Sequence, residues 1–145
     1  MVCNFIKDNL EAIISFLAMI GSIIATCINI SHTKKENLFH MANIIADQKQ
    51  KFYDAYLKYM NSSDDEAEEY VYKECIAEYI NSYEIACSLY DKGTINKELF
   101  KSLFKNELNS IRNRKGISKY LDENDFLPDN YTYIEKIYNE WNDTK

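Results

Sequence analysis

The stretch AIISFLAMIGSIIATCINIS, from Ala12 to Ser31, decides how this chain is organised. It carries no charged residue and consists mainly of Ile, Leu, Phe, Met and Ala. A helix rises about 1.5 Å per residue, so this stretch reaches roughly 30 Å, which matches the hydrocarbon core of a bilayer. We therefore predict a transmembrane helix over 12–31, preceded by a flank over 1–11 and followed by a soluble helical domain over 32–145.

Competing interpretations of this stretch are a buried core helix, a cleaved signal peptide and a lipoprotein signal. A signal peptide begins with a net positive charge, whereas Lys7 here stands against Asp8 and Glu11. Thr26 is a poor residue directly before the cysteine of a lipoprotein cleavage box. The membrane span is the favoured interpretation.

The residues after the span indicate its orientation. His32, Lys34 and Lys35 follow it, and basic residues concentrate on the cytoplasmic side of membrane proteins. The four cysteines have no paired short spacing, which favours free thiols over a zinc site or a disulfide framework. Both observations predict a cytoplasmic C-terminal domain.

Small and polar residues recur along one face of the span. Small residues let a second helix approach closely, and Ser or Asn can donate hydrogen bonds across such a contact. This pattern predicts a homo-oligomer, although small residues facing lipid would give the same pattern. The predicted association seam is Ser15, Ala18, Ser22, Ala25 and Asn29.

Only three glycines and one proline occur in the chain, which favours long helices and an all-α fold. Apolar residues at a spacing of three and four predict an amphipathic helix over 33–61, continuous with the span or separate from it. Such a helix suits a coiled coil or an antiparallel bundle, and we favour the bundle. The predicted buried positions are Leu38, Met41, Ile45, Phe52, Ala55 and Tyr59.

Three further helices are predicted. Ser63 and Glu66 form a capping box that opens a helix reaching about Asp91, and Gly93 stops it. The next helix runs from about Asn96 to Arg114, and Gly116 ends it. Its predicted buried residues are Leu99, Phe100, Leu103, Phe104, Leu108 and Ile111, and the final helix buries Ile134, Ile137, Tyr138 and Trp141.

Two surface features have a structural and a functional interpretation. Arg112, Arg114 and Lys115 complement the helix dipole, and a lipid-headgroup site is the competing interpretation. A row of tyrosines on the 62–91 helix suits core packing, or a ligand pocket in a membrane-tethered sensor. These candidate ligand-lining residues are Tyr72, Tyr79, Tyr83 and Tyr90.

Several chemistries are disfavoured. Without the anchor and flank the chain keeps a net charge of about −5, which argues against nucleic-acid binding. The stretch 91–100 is no calcium loop, because Leu99 stands where the twelfth-position carboxylate is required. We find no phosphate loop, nucleophile motif or metal-ligand spacing, and expect no enzyme activity, cofactor or metal.

The segments NSYE (81–84) and GTINKELF (93–100) resemble small bacterial membrane-anchored helical proteins of the DUF4760 type. Asn96 stands where the family has Asp. The closing segment IYNEW (137–141) is also similar to the family's layout. The resemblance implies a single-pass protein of the bacterial inner membrane. Similar proteins are grouped with phage abortive-infection proteins, which implies a defence role.

We therefore expect a non-enzymatic, membrane-anchored interaction module. Its expected partners are the membrane and either a second copy of the chain or another membrane or cytosolic protein. The alternative is the ligand-binding sensor.

Overall fold

The computed structural model describes the backbone of residues 2–61, 66–113 and 131–142, with side chains from residue 14 onward. Four α-helices occupy these residues: α1 (Val2–Asn61), α2 (Glu66–Asp91), α3 (Lys97–Asn113) and α4 (Thr132–Asn142). The all-α prediction is confirmed. The proposed Ser63 cap, the stop at Gly116 and the basic residues Arg114 and Lys115 lie outside the described residues.

Helix α1 joins the predicted span and the predicted 33–61 helix without a break. It contains 60 residues and is therefore about 90 Å long. Helix α1 contains one glycine, Gly21, and no proline. Neither residue type therefore interrupts the backbone where the apolar stretch meets the bundle. Among the described residues, this helix is long and apolar enough to cross a membrane, with a mean hydropathy of 1.9 in its best window and none of that window buried.

The C-terminal half of α1 packs with the three shorter helices as an antiparallel bundle. Helix α2 returns along α1, since Tyr72 stacks on Tyr59 and the α2–α3 turn reaches Lys34. Helix α3 runs back, and α4 follows α2 in the same direction. The core consists of Leu38, Met41, Ile45, Phe52, Ile76, Tyr79, Ile80, Tyr83, Ala86, Cys87, Tyr90, Ile95, Phe100, Phe104, Leu108, Ile111, Ile134, Ile137 and Trp141.

The α2–α3 turn combines a glycine stop with an asparagine cap. Gly93 has a φ of 68°, in the left-handed region that closes helix C-termini, and the Thr94 N–H donates to the Leu89 carbonyl at 3.0 Å. The Asn96 side chain accepts from the Leu99 N–H at 2.9 Å, so Asn96 caps α3 rather than forming its first turn. The predicted stop at Gly93 is confirmed.

Glu84, in the middle of α2, caps the N-terminus of α4. Its two carboxylate oxygens accept the backbone N–H groups of Tyr133 and Ile134, each at 2.9 Å. The first N–H groups of a helix have no partner within the helix, and a carboxylate there also meets the positive end of the dipole. A residue 49 positions away in sequence therefore fixes where α4 begins against α2.

The predicted buried face of α3 was wrong at one position. Leu103 is 49% exposed, whereas Phe100, Phe104, Leu108 and Ile111 are buried. At 100° per residue these four residues share one face, and Leu103 lies about a quarter turn away from the middle of that face. The pattern of leucines and phenylalanines was therefore broader than the surface that the bundle covers.

The cap on α4 gives a stability prediction. Glu84→Ala should lower the free energy of unfolding by about 1 kcal/mol, because two backbone donors lose their acceptor. It should also speed tryptic cleavage after Lys136, which lies in α4. Glu78→Ala, at an exposed position of the same helix, is the matched control. Urea denaturation and limited proteolysis measure both effects, and equal behaviour of the two variants would contradict the capping role.

Candidate functional site

The apolar part of α1 presents its side chains to the surroundings instead of to the bundle. The seam residues Ser15, Ala18, Ser22, Ala25 and Asn29 are all exposed. The hydroxyls of Thr26 and Thr33 donate to the carbonyls of Ser22 and Asn29, at 2.8 and 3.0 Å. These two polar side chains therefore satisfy their hydrogen bonds within α1, which a helix in an apolar environment requires.

The seven-residue series of the seam continues beyond the span, and on a straight α-helix each step of seven residues rotates by about 20°. Steps of seven residues lead from Ala18 through Ala25 to positions 39, 46, 53 and 60, and from Ser15 through Ser22 and Asn29 to position 57. Several of these later positions hold large exposed side chains: Phe39 (56% exposed), Tyr53 (40%), Leu57 (57%) and Met60 (61%). We call these four residues the outer stripe of α1. A seven-residue repeat is the spacing that keeps two supercoiled helices in contact.

The bundle uses the other side of α1. Leu38, Met41, Ile45, Phe52 and Ala55 are at most 7% exposed. Near residue 55 the centre of this buried face lies roughly 120° around the helix from the outer stripe, at 100° per residue. Helix α1 therefore has two apolar faces, and the bundle covers one of them.

After the seam, and between Phe39 and Tyr53 of the outer stripe, the repeat also carries polar residues. His32 and Glu36 pair with each other at 3.3 Å, and both side chains are more than half exposed. Asn43 and Gln50 occupy the next positions of the same series. The repeat is thus apolar at its two ends and polar where it leaves the predicted span.

The four candidate ligand-lining tyrosines pack against other aromatic rings. Tyr72 stacks between Phe52 and Tyr59, with ring centroids 5.9 and 5.1 Å away. Tyr79 stacks on Phe52 at 5.6 Å. Tyr79 and Tyr83 meet edge to face, at a centroid distance of 5.4 Å.

Tyr90 is the fourth of this set and joins α2 to α4. Its ring meets Trp141 edge to face at 5.6 Å, and its hydroxyl accepts the Trp141 indole N–H at 3.2 Å and donates to Glu140 at 2.8 Å. Tyr79, Tyr83 and Tyr90 are at most 5% exposed. These contacts support the core interpretation of the tyrosines, and a ligand-binding role for them stays a prediction.

A small cleft lies beside Tyr79, between α1 and α3. Its volume is about 40 Å³, and its lining includes Lys49, Phe52, Tyr53 and Glu107. Pockets for small-molecule ligands and cofactors have volumes of several hundred Å³. This cleft has room for about one water molecule.

The polar groups of this cleft satisfy one another. The Lys49 ammonium and the Tyr79 hydroxyl, at 2.9 Å, both donate to one oxygen of Glu107. Burial raises the pKa of the Glu107 carboxyl, but the hydrogen bonds from Lys49 and Tyr79 outweigh it and lower the pKa overall. The carboxylate is therefore held ionised as a link between three helices.

Burial also affects two of the described cysteines, Cys75 and Cys87. Cys87 is fully buried, and burial raises the pKa of its thiol, so it stays protonated. Burial raises the pKa of the Cys75 thiol as well. The described residues contain no group of three or more His, Cys, Asp or Glu side chains arranged for a metal ion.

Sequence reasoning missed two of the polar groups described here. Glu84 binds backbone N–H groups 49 and 50 residues away, and the pairing of Lys49 with Glu107 spans 58 residues. Local spacing carries no signal for either contact, because both depend on how the helices align. Arg112, a candidate for headgroup binding, contacts Glu135 at 2.8 Å, at the end of the bundle away from the apolar stretch.

Comparisons with protein-family models, with curated proteins and with solved structures find no match to this chain.

Proposed function

We propose that this protein is a non-enzymatic interaction module that crosses the membrane once and self-associates through α1. The observation that carries this proposal is the pair of apolar faces on one unbroken helix. One face holds the bundle together, and outside it α1 exposes large apolar residues along the apolar stretch and again towards its C-terminal end, with polar residues between them. A surface of this kind suits a lipid environment at one end and a protein partner at the other.

The membrane anchor is supported by exposure and length. Between positions 14 and 30, α1 exposes nine large apolar side chains, each by 36% or more: Ile14, Phe16, Leu17, Met19, Ile20, Ile23, Ile24, Ile28 and Ile30. Water solvates such a surface poorly, whereas lipid chains match it. The basic residues after the span favour a cytoplasmic bundle.

Self-association is supported by the geometry that a shared membrane imposes. Two copies inserted with the same orientation hold their α1 helices parallel and at equal depth. If the two helices supercoil at about 3.5 residues per turn, equivalent positions of the seven-residue repeat face each other along their length, so Ser22 meets Ser22 and Leu57 meets Leu57. The seam would supply close packing in the membrane, and the outer stripe would supply apolar burial outside it.

The broader setting is proposed from the family resemblance. A small anchored module of the bacterial inner membrane that acts by assembly, or by perturbing the membrane, suits a phage-defence component. Another membrane or cytosolic protein on the same face of α1 is the alternative partner to a second copy.

One prediction of the proposed function concerns topology. The protein should stay in the membrane fraction during alkaline carbonate extraction, because the span is held by lipid rather than by surface charge. A reporter fused after Lys145 should show activity in the cytoplasm. Release of the intact protein into the soluble fraction would end the anchor proposal, and a periplasmic signal would reverse the orientation.

A second prediction concerns the seam. Ser22→Ile should weaken association by tenfold or more, that is by about 1.4 kcal/mol, because the larger side chain separates the two backbones. Ile20→Leu keeps bulk and hydrophobicity at a position outside the seam and is the matched control. Crosslinking in membranes and a transmembrane-association reporter measure both variants.

The outer stripe is tested in the same assay. Leu57→Glu introduces a like-charge pair at the proposed contact and should add to the effect of Ser22→Ile. A monomeric parent, or unchanged association of Ser22→Ile, would show that the seam is not the contact.

A further inference from the structure

The α2–α3 turn lies at the same level along α1 as the end of the apolar stretch. The Asn96 N–H donates to the Lys34 carbonyl at 3.3 Å, and the Asn37 side chain donates to the Thr94 carbonyl at 3.1 Å. Lys34 is three residues beyond Ser31, a rise of about 4.5 Å. The headgroup layer on each side of a bilayer is roughly 5–8 Å thick, so the turn falls within it if the span ends at Ser31.

This end of the bundle carries four lysines, which come from α1, the α2–α3 turn and α3. Lys34 and Lys35 follow the apolar stretch on α1, Lys92 belongs to the turn, and Lys97 opens α3. Lys34 is half-buried and the other three are exposed. We call these four residues the lysine end of the bundle.

Aromatic rings hold two of these lysines at this end. The Lys97 ammonium lies 4.7 Å from the centre of the Tyr90 ring, and the Lys92 ammonium lies 6.0 Å from that of Tyr133. Contacts of this kind fix the side chain while the ammonium keeps access to an anion.

On α1, α2 and α3, three acidic residues lie near the lysine end. Glu36 lies 3.3 Å from His32, and Asp91 forms an ion pair with Lys136 at 2.6 Å. Glu98, in the first turn of α3, is exposed. The local balance of charge is therefore positive.

The opposite end of the bundle is acidic. The first turn of α2 carries Glu66, Glu68 and Glu69, and Glu74 follows one turn later. The bundle thus has a basic end at the apolar stretch and an acidic end about 40 Å further along α1. This polarity matches a negatively charged surface at the basic end.

We propose that the lysine end binds the headgroups of anionic phospholipids in the leaflet where the span ends, and so docks the bundle against the membrane. The inference rests on the proposed membrane anchor. Its new content is that Lys92 and Lys97, which are distant from the span in sequence, contact the same lipid surface as Lys34 and Lys35. Basic residues near an anionic leaflet are attracted to it electrostatically.

The experiment places a fluorophore at three depths of the full chain. Cys3, Cys27, Cys75 and Cys87 are replaced by Ala, and one cysteine is introduced by Thr94→Cys, Asn61→Cys or Ile20→Cys and labelled with bimane. The protein is reconstituted in phosphatidylcholine vesicles. One set of vesicles contains spin-labelled phosphatidylglycerol, and the other contains spin-labelled phosphatidylcholine at the same mole fraction. In both lipids the nitroxide is on an acyl carbon near the headgroup.

The expected result is selective quenching at the turn. Bimane at Thr94→Cys should be quenched at least about twofold more by spin-labelled phosphatidylglycerol than by spin-labelled phosphatidylcholine, and added salt should reduce the difference. Bimane at Asn61→Cys, about 40 Å further along α1, should be quenched by neither lipid. Adding Lys92→Gln and Lys97→Gln should bring the ratio at Thr94→Cys to about one.

Bimane at Ile20→Cys separates the docking proposal from the anchor proposal. A lipid with its nitroxide deep in the acyl chains, instead of near the headgroup, should quench this bimane whether or not the bundle docks. Quenching there without quenching at Thr94→Cys would overturn the docking proposal and leave the anchor intact. Equal quenching at Thr94→Cys by the two lipids would remove the anionic preference. No quenching at Ile20→Cys would overturn the anchor itself.

Discussion

The backbone hydrogen bonds of α1 continue from the apolar stretch into the bundle, and the arrangement of the rest of the structure depends on this continuity. A helix holds each residue at a set rise and rotation relative to every other. Once the stretch 12–31 is fixed in a bilayer, Leu38, Phe52 and Met60 have defined heights above it and defined directions around it. The bundle is then an extension of the span rather than a domain on a flexible tether.

Non-local polar contacts keep the three shorter helices in place on α1. Glu84 sets the start of α4, the Asn96 N–H ties the α2–α3 turn to Lys34, and Glu107 links α3 to Lys49 and Tyr79. Each contact joins residues far apart in sequence and fixes one alignment among several that apolar packing would tolerate. The aromatic stack of Phe52, Tyr72 and Tyr79 supplies the apolar burial around them.

The sequence was sufficient for features that depend on local pattern. The buried positions Leu38, Met41, Ile45, Phe52 and Ala55 of α1 and the stop at Gly93 follow from helical spacing and turn chemistry, and the structure agrees with them. Leu103 was wrongly assigned to the core, because periodicity gives a direction around a helix and not the width of the surface that neighbours cover. The roles of Glu84 and Glu107 were out of reach, since a carboxylate on a helix has the same local sequence whether it meets water or another helix.

The association seam and the outer stripe illustrate a similar limit at the level of function. The seam was visible in the sequence as small residues at steps of three and four. The outer stripe became visible only when the bundle was seen to cover the other side of α1 and to leave Phe39, Tyr53, Leu57 and Met60 exposed. The sequence alone does not show whether an apolar residue packs in the core or contacts a partner.

The central claim is that α1 is a single rigid helix between the apolar stretch and the end of the bundle. Double electron–electron resonance between nitroxides at Ile24→Cys and Lys58→Cys tests it directly, in bilayers where labelled protein is diluted with unlabelled protein. Thirty-four residues of helix predict one narrow distance distribution centred at about 51 Å. A broad distribution, or a centre shorter by 10 Å or more, would show a hinge or break between the two labels and contradict the account.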